Sequence, residues 1–231
     1  MRLDERLGLA YDLYRDCDLA ADIGTDHAHL PIALLRAGKC RRMILTDISD
    51  GALNNARDNL IRAGMTDRAE LRKGDGLAPI REACGMISVL GMGGRTIRGI
   101  LEAGKDHLRS APLLLSAHTD LLHVRRAVSE IGYHIDCETP CLAAGRYYLM
   151  IRALPGAEKM TESEFRTGKR LTASDSPVLA GYLQHQYAVQ RAKIKGLRSA
   201  GTAEAELLQQ AETDAAYYQE ALRAIGETGM N

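Results

Sequence analysis

The sequence predicts an α/β protein: a Rossmann-like parallel sheet ending in an antiparallel strand pair, followed by a C-terminal helical hairpin. Three observations predict it. Short apolar segments alternate with amphipathic helical segments over the first two-thirds of the chain, the pattern of parallel strands joined by crossover helices. The last two strand segments have only a turn between them, so one must run antiparallel to its neighbour. Two long segments with apolar residues at helical spacing then close the chain.

The elements follow in order. Residues 3–14 read as a helix, with Leu3, Leu7, Ala10 and Tyr11 on one face and Asp4 placed to cap its start. LAADIG (19–24) is a buried strand ending in glycine. HLPIALLRAG follows as a helix, with Pro31 tolerated in its first turn and Gly38 stopping it. RMILTD (42–47) is a strand, DGALNNARDNLIRAG (50–64) a helix, and AELRKGDG (69–76) a strand and loop. MISVLGMGG (86–94) is a strand opening into a glycine-rich turn, and 95–108 is a helix. PLLLSAH (112–118) is a strand, 120–132 a helix, and 133–154 two strands around Ala143, Ala144 and Gly145.

Beyond them, residues 156–173 are polar, contain Gly156 and Gly168, and read as a linker. In the two closing helices, Leu183, Tyr187, Gln190, Ile194 and Leu197 form one apolar stripe. Leu208, Ala211, Ala215, Tyr218, Leu222 and Ile225 form the other, with SAGT (199–202) as the turn. The expected division is a domain over 1–155, a linker over 156–173 and an antiparallel helical hairpin, or coiled coil, over 174–231.

Composition narrows the function classes. Hydrophobic residues make up 45% and charged residues 26% of 231, and 30 basic residues balance 30 acidic ones. That suits a globular chain able to bury a core without staples, and global charge advertises no nucleic-acid partner. Cys17, Cys40, Cys84, Cys137 and Cys141 form no CxxC pair and read as reduced, buried thiols of a cytoplasmic protein. The N-terminus carries charges and no apolar signal region, and no apolar run reaches membrane-spanning length.

Four marks fall at the C-terminal ends of successive strands. The first is Asp22–Ile23–Gly24–Thr25–Asp26–His27, at the strand-to-helix turn where a nucleotide-like ligand lies in open α/β sheets. The second is Asp47, with Ile48 beside it, placed to accept both ribose hydroxyls. The third is Asp75–Gly76, able to meet an adenine amino group, and the fourth is Gly91–Met92–Gly93–Gly94. A dinucleotide fingerprint needs glycine where Asp26 stands, because a pyrophosphate must touch the backbone there. Asp26 repels a pyrophosphate but favours an ammonium or sulfonium group. The ligand expected is therefore S-adenosylmethionine (SAM) rather than NAD(P). A parallel sheet ending in an antiparallel pair is the usual plan of class I SAM-dependent methyltransferases.

At this point the residues resemble a known family, the bacterial tRNA (adenine-22-N1)-methyltransferases. The marks are LDERL at 3–7, ADIGTDHAHLP at 21–31, GDGL at 74–77, GMGG at 91–94, GRYYLMI at 145–151, and a hairpin starting near SPVLAGYL. The resemblance implies a class I domain plus a coiled coil, a SAM cofactor and a tRNA adenine as methyl acceptor. It places Asp22, Gly24, Thr25, Asp26, His27, Asp47, Ile48, Asp75, Gly76 and Gly91 at the cofactor. It places Asp26, Gly91, Met92 and Gly93 on the catalytic side. One departure is visible: Ser116–Ala117–His118–Thr119–Asp120 stands where the family usually carries a Gln-Pro turn facing the substrate.

Adenine N1 has a free lone pair, so positioning is the expected catalytic task, with Asp26 stabilising the cationic product. The target base must leave the tRNA stack to reach the methyl group. Candidate RNA contacts are Arg95, Arg98, Arg125, Arg126, Arg191, Lys193, Lys195 and Arg198. No metal is expected; His27 and His29, at a helix start, should point apart. Two other classes stay open: a small-molecule or protein methyltransferase whose hairpin dimerises, and a non-catalytic SAM- or RNA-binding module. Monomer and homodimer also stay open.

Overall fold

A computed structural model describes residues 3–200 and 205–228. Helix α1 (Glu5–Leu13) begins at Asp4, whose carboxylate accepts the Leu7 amide at 2.7 Å. Strand β1 (Cys17–Ile23), α2 (His29–Ala37), β2 (Cys40–Asp47), α3 (Asp50–Ala63) and β3 (Ala69–Lys73) follow, then β4 (Met86–Met92), α4 (Gly94–Gly104), β5 (Leu113–Ala117) and α5 (Leu121–Glu130). Gly38 and Gly64 end α2 and α3 in the left-handed conformation, as their sequence positions predict. The hairpin pair β6 (Tyr133–Ala143) and β7 (Arg146–Pro155) completes a seven-stranded sheet of order β3-β2-β1-β4-β5-β7-β6. Strand β7 lies between β5 and β6 and runs antiparallel to both.

Side chains alternate between the two faces of the sheet. Ala20, Met43, Leu45, Met86 and Leu114 pack with α1, α2 and α3. Ala21, Ile44, Ile87, Leu113 and Leu115 pack with α4 and α5 on the other side. This double burial explains the near-continuous apolar runs of the central strands. It also leaves only the loops at the strand ends free for chemistry.

The segment expected as a polar linker over 156–173 holds a helix, α6 (Glu162–Thr167). Thr161 and Glu164 close a capping box at its start. Its neighbours are fixed by Arg125, a residue expected at an RNA surface and in fact 1% exposed. The Arg125 guanidinium donates to Glu138 at 2.6 Å and to the Phe165, Arg166 and Thr167 carbonyls. The buried cation needs partners, and the chain after β7 supplies carbonyls that composition alone does not reveal.

The hairpin is α7 (Leu179–Ala200) and α8 (Ala205–Thr228). Helix α7 takes in Ser199 and Ala200 of the expected turn, and Gly201 and Thr202 lie outside the described residues, as do 229–231 of the hairpin range. Ile194, Ala211 and Ala215 bury a seam of their own. At the other end Leu179, Tyr182, Leu183, Tyr218 and Ala221 join the main core. The base of the hairpin is thus continuous with the sheet domain.

Candidate active site

The loop after β1 has a contorted backbone. Gly24, Asp26 and Ala28 all take positive φ, at 77°, 36° and 54°. The Gly24 and Thr25 amides both reach the Thr46 carbonyl, at 2.8 and 3.1 Å, pinning the loop to the end of β2. A Cβ on Gly24 would collide with the Met92 side-chain methyl, so the first loop and the GMGG turn are in close contact. Gly94 is required for a different reason, because a Cβ there would strike the Thr119 and Asp120 carbonyl oxygens.

A cavity of about 310 Å³ opens at this edge. Asp22, Gly24, Thr25, Asp26, His27 and Gly91 line it, as their strand-end positions predict. Asp47, Ile48, Asp75, Gly76, Met92 and Gly93 stand outside its walls. Asp47 and Asp75 remain on the same edge, joined through the Gly74 amide to the Asp47 carbonyl at 3.1 Å. Ile48 is 66% exposed. One Asp47 oxygen accepts the Ser49 amide at 2.8 Å, which leaves the other for a ligand.

The lining also includes polar and aromatic side chains that the sequence does not single out as site residues: Arg6 on α1, His29 at the start of α2, His118 after β5 and Tyr148 on β7. Arg6 lies over the Tyr148 ring at 5.4 Å, and His118 meets that ring edge-on at 6.0 Å. They come from three distant stretches of chain, so spacing could not gather them. The signal that existed was indirect. Arg6, Tyr148 and His118 sit within LDERL, GRYYLMI and the departing turn, stretches singled out without a role for these side chains. The cluster supplies a cation and an aromatic face, the parts that hold a flat, unstacked base.

Two carboxylates, Asp22 and Asp26, lie in the lining of the cavity. The Asp22 carboxylate is buried and held by the Ser88 hydroxyl at 2.6 Å. Burial pushes its pKa above the usual value, against the lowering effects of Ser88 and Thr25. Among the described residues no cationic side chain forms an ion pair with it. Asp26 is more open: His27 stands 3.3 Å away and the Asn55 amide 3.5 Å away. Its side chain does not cap α2, whose first residue is preceded by Ala28 without a side-chain cap. His27 and His29 do not point apart as expected; their rings stack at 5.4 Å between centroids. Among the described residues no group of three metal-ligating side chains forms.

The expected RNA contacts divide into groups. Arg125 is internal, as described above. Arg98 pairs with Glu102 and Glu130, and Arg126 pairs with Glu162 while stacking on Phe165. Arg198 pairs with Glu212, and Arg95 stands 3.9 Å from Asp120. Arg191, Lys193 and Lys195 are exposed on α7 and, among the described residues, form no ion pair. No helix among the described residues is long and apolar enough to cross a membrane.

The family model described as tRNA (adenine(22)-N(1))-methyltransferase matches residues 20–221. A Bacillus subtilis (strain 168) protein of that name is 31% identical over 158 residues, 68% of this chain and 66% of its own, so the aligned stretch is just under two-thirds of that relative. A Streptococcus pneumoniae structure in complex with S-adenosyl-L-methionine superposes with a TM-score of 0.85 at 26% identity, covering 96% of this chain and all of that one. An M. capricolum structure in complex with S-adenosyl-homocysteine superposes with a TM-score of 0.82 at 21% identity, covering 97% and 100%.

Proposed function

The chain belongs to the tRNA (adenine(22)-N(1))-methyltransferase family, and from that premise we propose that it transfers a methyl group from SAM to N1 of adenine 22 in tRNA, in the cytoplasm. The observation that carries this is the cavity at the sheet edge, acidic at Asp22 and Asp26 and cationic-aromatic at Arg6, His118 and Tyr148. The first end fits the cofactor: Asp22 is a buried carboxylate without a cationic partner among the described residues, the environment an ammonium group completes. The second end fits a base, and the Streptococcus pneumoniae relative with SAM bound supports the same cofactor here.

SAM supplies an electrophilic methyl group on a sulfonium. The chain's own residues do the rest. Asp22 and Asp26 offer negative charge in the cavity, and Asp47, at the end of β2, keeps its second carboxylate oxygen available for ribose hydroxyls. Tyr148, His118 and Arg6 hold the adenine plane. The N1 lone pair forms the new N–C bond as the S–C bond breaks, and no proton need leave first. The adenine becomes a cation, so a carboxylate at Asp26 lowers the barrier by charge rather than by acting as a base.

The test is methyl transfer from labelled SAM to unmodified tRNA, followed by nucleoside analysis and mapping. The expected product is 1-methyladenosine at position 22. Label on another atom, or none on tRNA, overturns the assignment.

A further inference from the structure

A second cavity, of about 280 Å³, lies between the sheet domain and the hairpin. Its floor is the start of α5, with Asp120 and His123; its walls are Arg166 from α6, Gln190 and Lys193 from α7, and Asp214 and Tyr218 from α8. His118 lines both this cavity and the one at the sheet edge. The floor is tied to the glycine-rich turn through backbone bonds, His118 to the Met92 carbonyl at 2.9 Å and Gly94 to the Thr119 carbonyl at 3.0 Å.

The wall is polar and incompletely paired. Gln190 Oε1, His123 Nδ1 and Arg166 Nε are buried atoms without a hydrogen-bond partner. Arg166 is otherwise well held, by Gln210 at 2.8 Å, Glu162 at 2.8 Å and Asp214. The guanidinium therefore keeps its Nε–H unpaired, and the same cavity also carries an unpaired amide oxygen and an unpaired imidazole nitrogen. Buried groups of this kind cost free energy unless something completes them. Lys193 at the rim is exposed and, among the described residues, forms no ion pair.

We propose that this cleft is a subsite for a second nucleotide of the tRNA, one that neighbours the target adenosine and leaves the stack with it. Unpaired donors and acceptors lining one cavity match the edge of an unpaired base, and an exposed lysine in the same lining matches its phosphate. The volume suits one small planar group, at the low end of ligand pockets of about 300 Å³ and above. The shared His118 places the two bases on either side of one ring. The hairpin thereby becomes part of the recognition surface, not a separate handle. This rests on tRNA being the substrate.

The experiment uses the full-length protein and unmodified tRNA transcript. Gln190→Ala and Gln190→Met are compared with wild type for tRNA Kd, KM and kcat, SAM Kd and melting temperature. Both should raise the KM and Kd for tRNA roughly tenfold, the usual cost of one lost polar contact. SAM Kd and melting temperature should stay as in wild type. The slope of log Kd against log salt should also be unchanged, because no phosphate contact is removed, whereas Lys193→Ala should make it shallower. A tRNA Kd within twofold of wild type in either folded Gln190 variant overturns the subsite. Should Gln190→Ala not fold, Gln190→Met, which keeps the side chain's length without its polar atoms, decides alone; should neither fold, Gln190 is a packing residue and the subsite is overturned. A wild-type protein that binds SAM yet methylates no tRNA overturns the underlying assignment instead.

Discussion

Asp22 and Ser88 are cross-strand neighbours on β1 and β4, and the Ser88 hydroxyl donates to the Asp22 carboxylate at 2.6 Å. The pair turns an interior strand position into a buried anion in the wall of the cavity. Burial raises the Asp22 pKa from its ordinary 3.8. A bound ammonium lowers it again, so SAM binding should release a proton in the window between the two values.

SAM affinity should therefore weaken as pH falls through the raised Asp22 pKa. Asp22→Asn, which can still accept from Ser88, should bind SAM roughly tenfold more weakly at neutral pH and lose this dependence. The sign for stability is opposite. A carboxyl whose folded pKa is raised destabilises the native state when ionised, and that cost disappears as pH falls through the folded value. The stability gain from Asp22→Asn in the ligand-free protein should shrink on acidification. Calorimetric titrations of both proteins across the acid range check the two trends together; parallel pH profiles would show that Asp22 does not face the ammonium.

Asp47→Ala should reduce SAM affinity at least ~tenfold, since each charge-assisted bond to a ribose hydroxyl is worth about 1.5–3 kcal/mol. The Ser49 amide also loses its acceptor, but at an exposed turn, so the melting temperature should change little. Unchanged SAM affinity by calorimetry would reduce Asp47 to a turn residue.

Much of this arrangement was legible in the sequence, for a physical reason. Strands β1 to β5 are buried on both faces and bounded by capped helices, so their apolar runs and glycines locate the strand ends. The strand ends then locate Asp22, Gly24, Asp26 and Gly91. Arg125 shows the opposite case. An arginine beside Arg126 on an amphipathic helix looks like surface, and only the fold brings Glu138 and three carbonyls around it. Residues 156–173 hide their helix for the same reason, since polar composition does not show that their carbonyls pair with a buried cation. Arg6, His118 and Tyr148 meet only through the packing of α1 against the β6–β7 end of the sheet.

Arg125→Ala should unfold the protein more readily by about 3–5 kcal/mol, because it strands Glu138 at 0% side-chain exposure. Replacing both partners, as Arg125→Met with Glu138→Leu, should recover part of the loss. Thermal melts measure both. A near-normal melting temperature for Arg125→Ala, with weakened tRNA binding, would return the residue to the RNA surface.

Truncation separates the two ends of the hairpin. Deleting 174–231 removes Leu179, Tyr182, Leu183, Tyr218 and Ala221 from the main core and should give an aggregating or strongly destabilised protein. Replacing only 194–211 with a short Gly-Ser turn removes Lys195 and Arg198 and the distal seam around Ile194 and Ala211, and spares that base. This variant should keep its SAM affinity and bind tRNA with a shallower salt dependence. A soluble, cooperatively melting 1–173 fragment would show that the sheet domain closes without the hairpin.

Asp26 is the residue on which catalysis should depend most. It lines the cavity, its side chain is 60% exposed, and its backbone holds φ at 36°. Helix capping does not explain it, since α2 starts after Ala28 with no side-chain cap. Asp26→Ala should lower single-turnover methyl transfer by about 10²–10³-fold, the usual cost of removing one electrostatic stabiliser. That variant also places alanine in a left-handed conformation it tolerates poorly, so lost rate alone would be ambiguous. Asp26→Asn resolves this. Asparagine accepts positive φ readily, keeps the shape and can bond to Asn55, but carries no charge. If charge on the emerging adenine cation is what matters, Asp26→Asn should be nearly as slow as Asp26→Ala while melting like wild type. Substantial recovery in Asp26→Asn would assign the role to hydrogen bonding. A normal rate per folded molecule in both variants, with a lowered melting temperature in Asp26→Ala, would leave Asp26 as a loop residue whose job is to hold the backbone between Gly24 and Ala28.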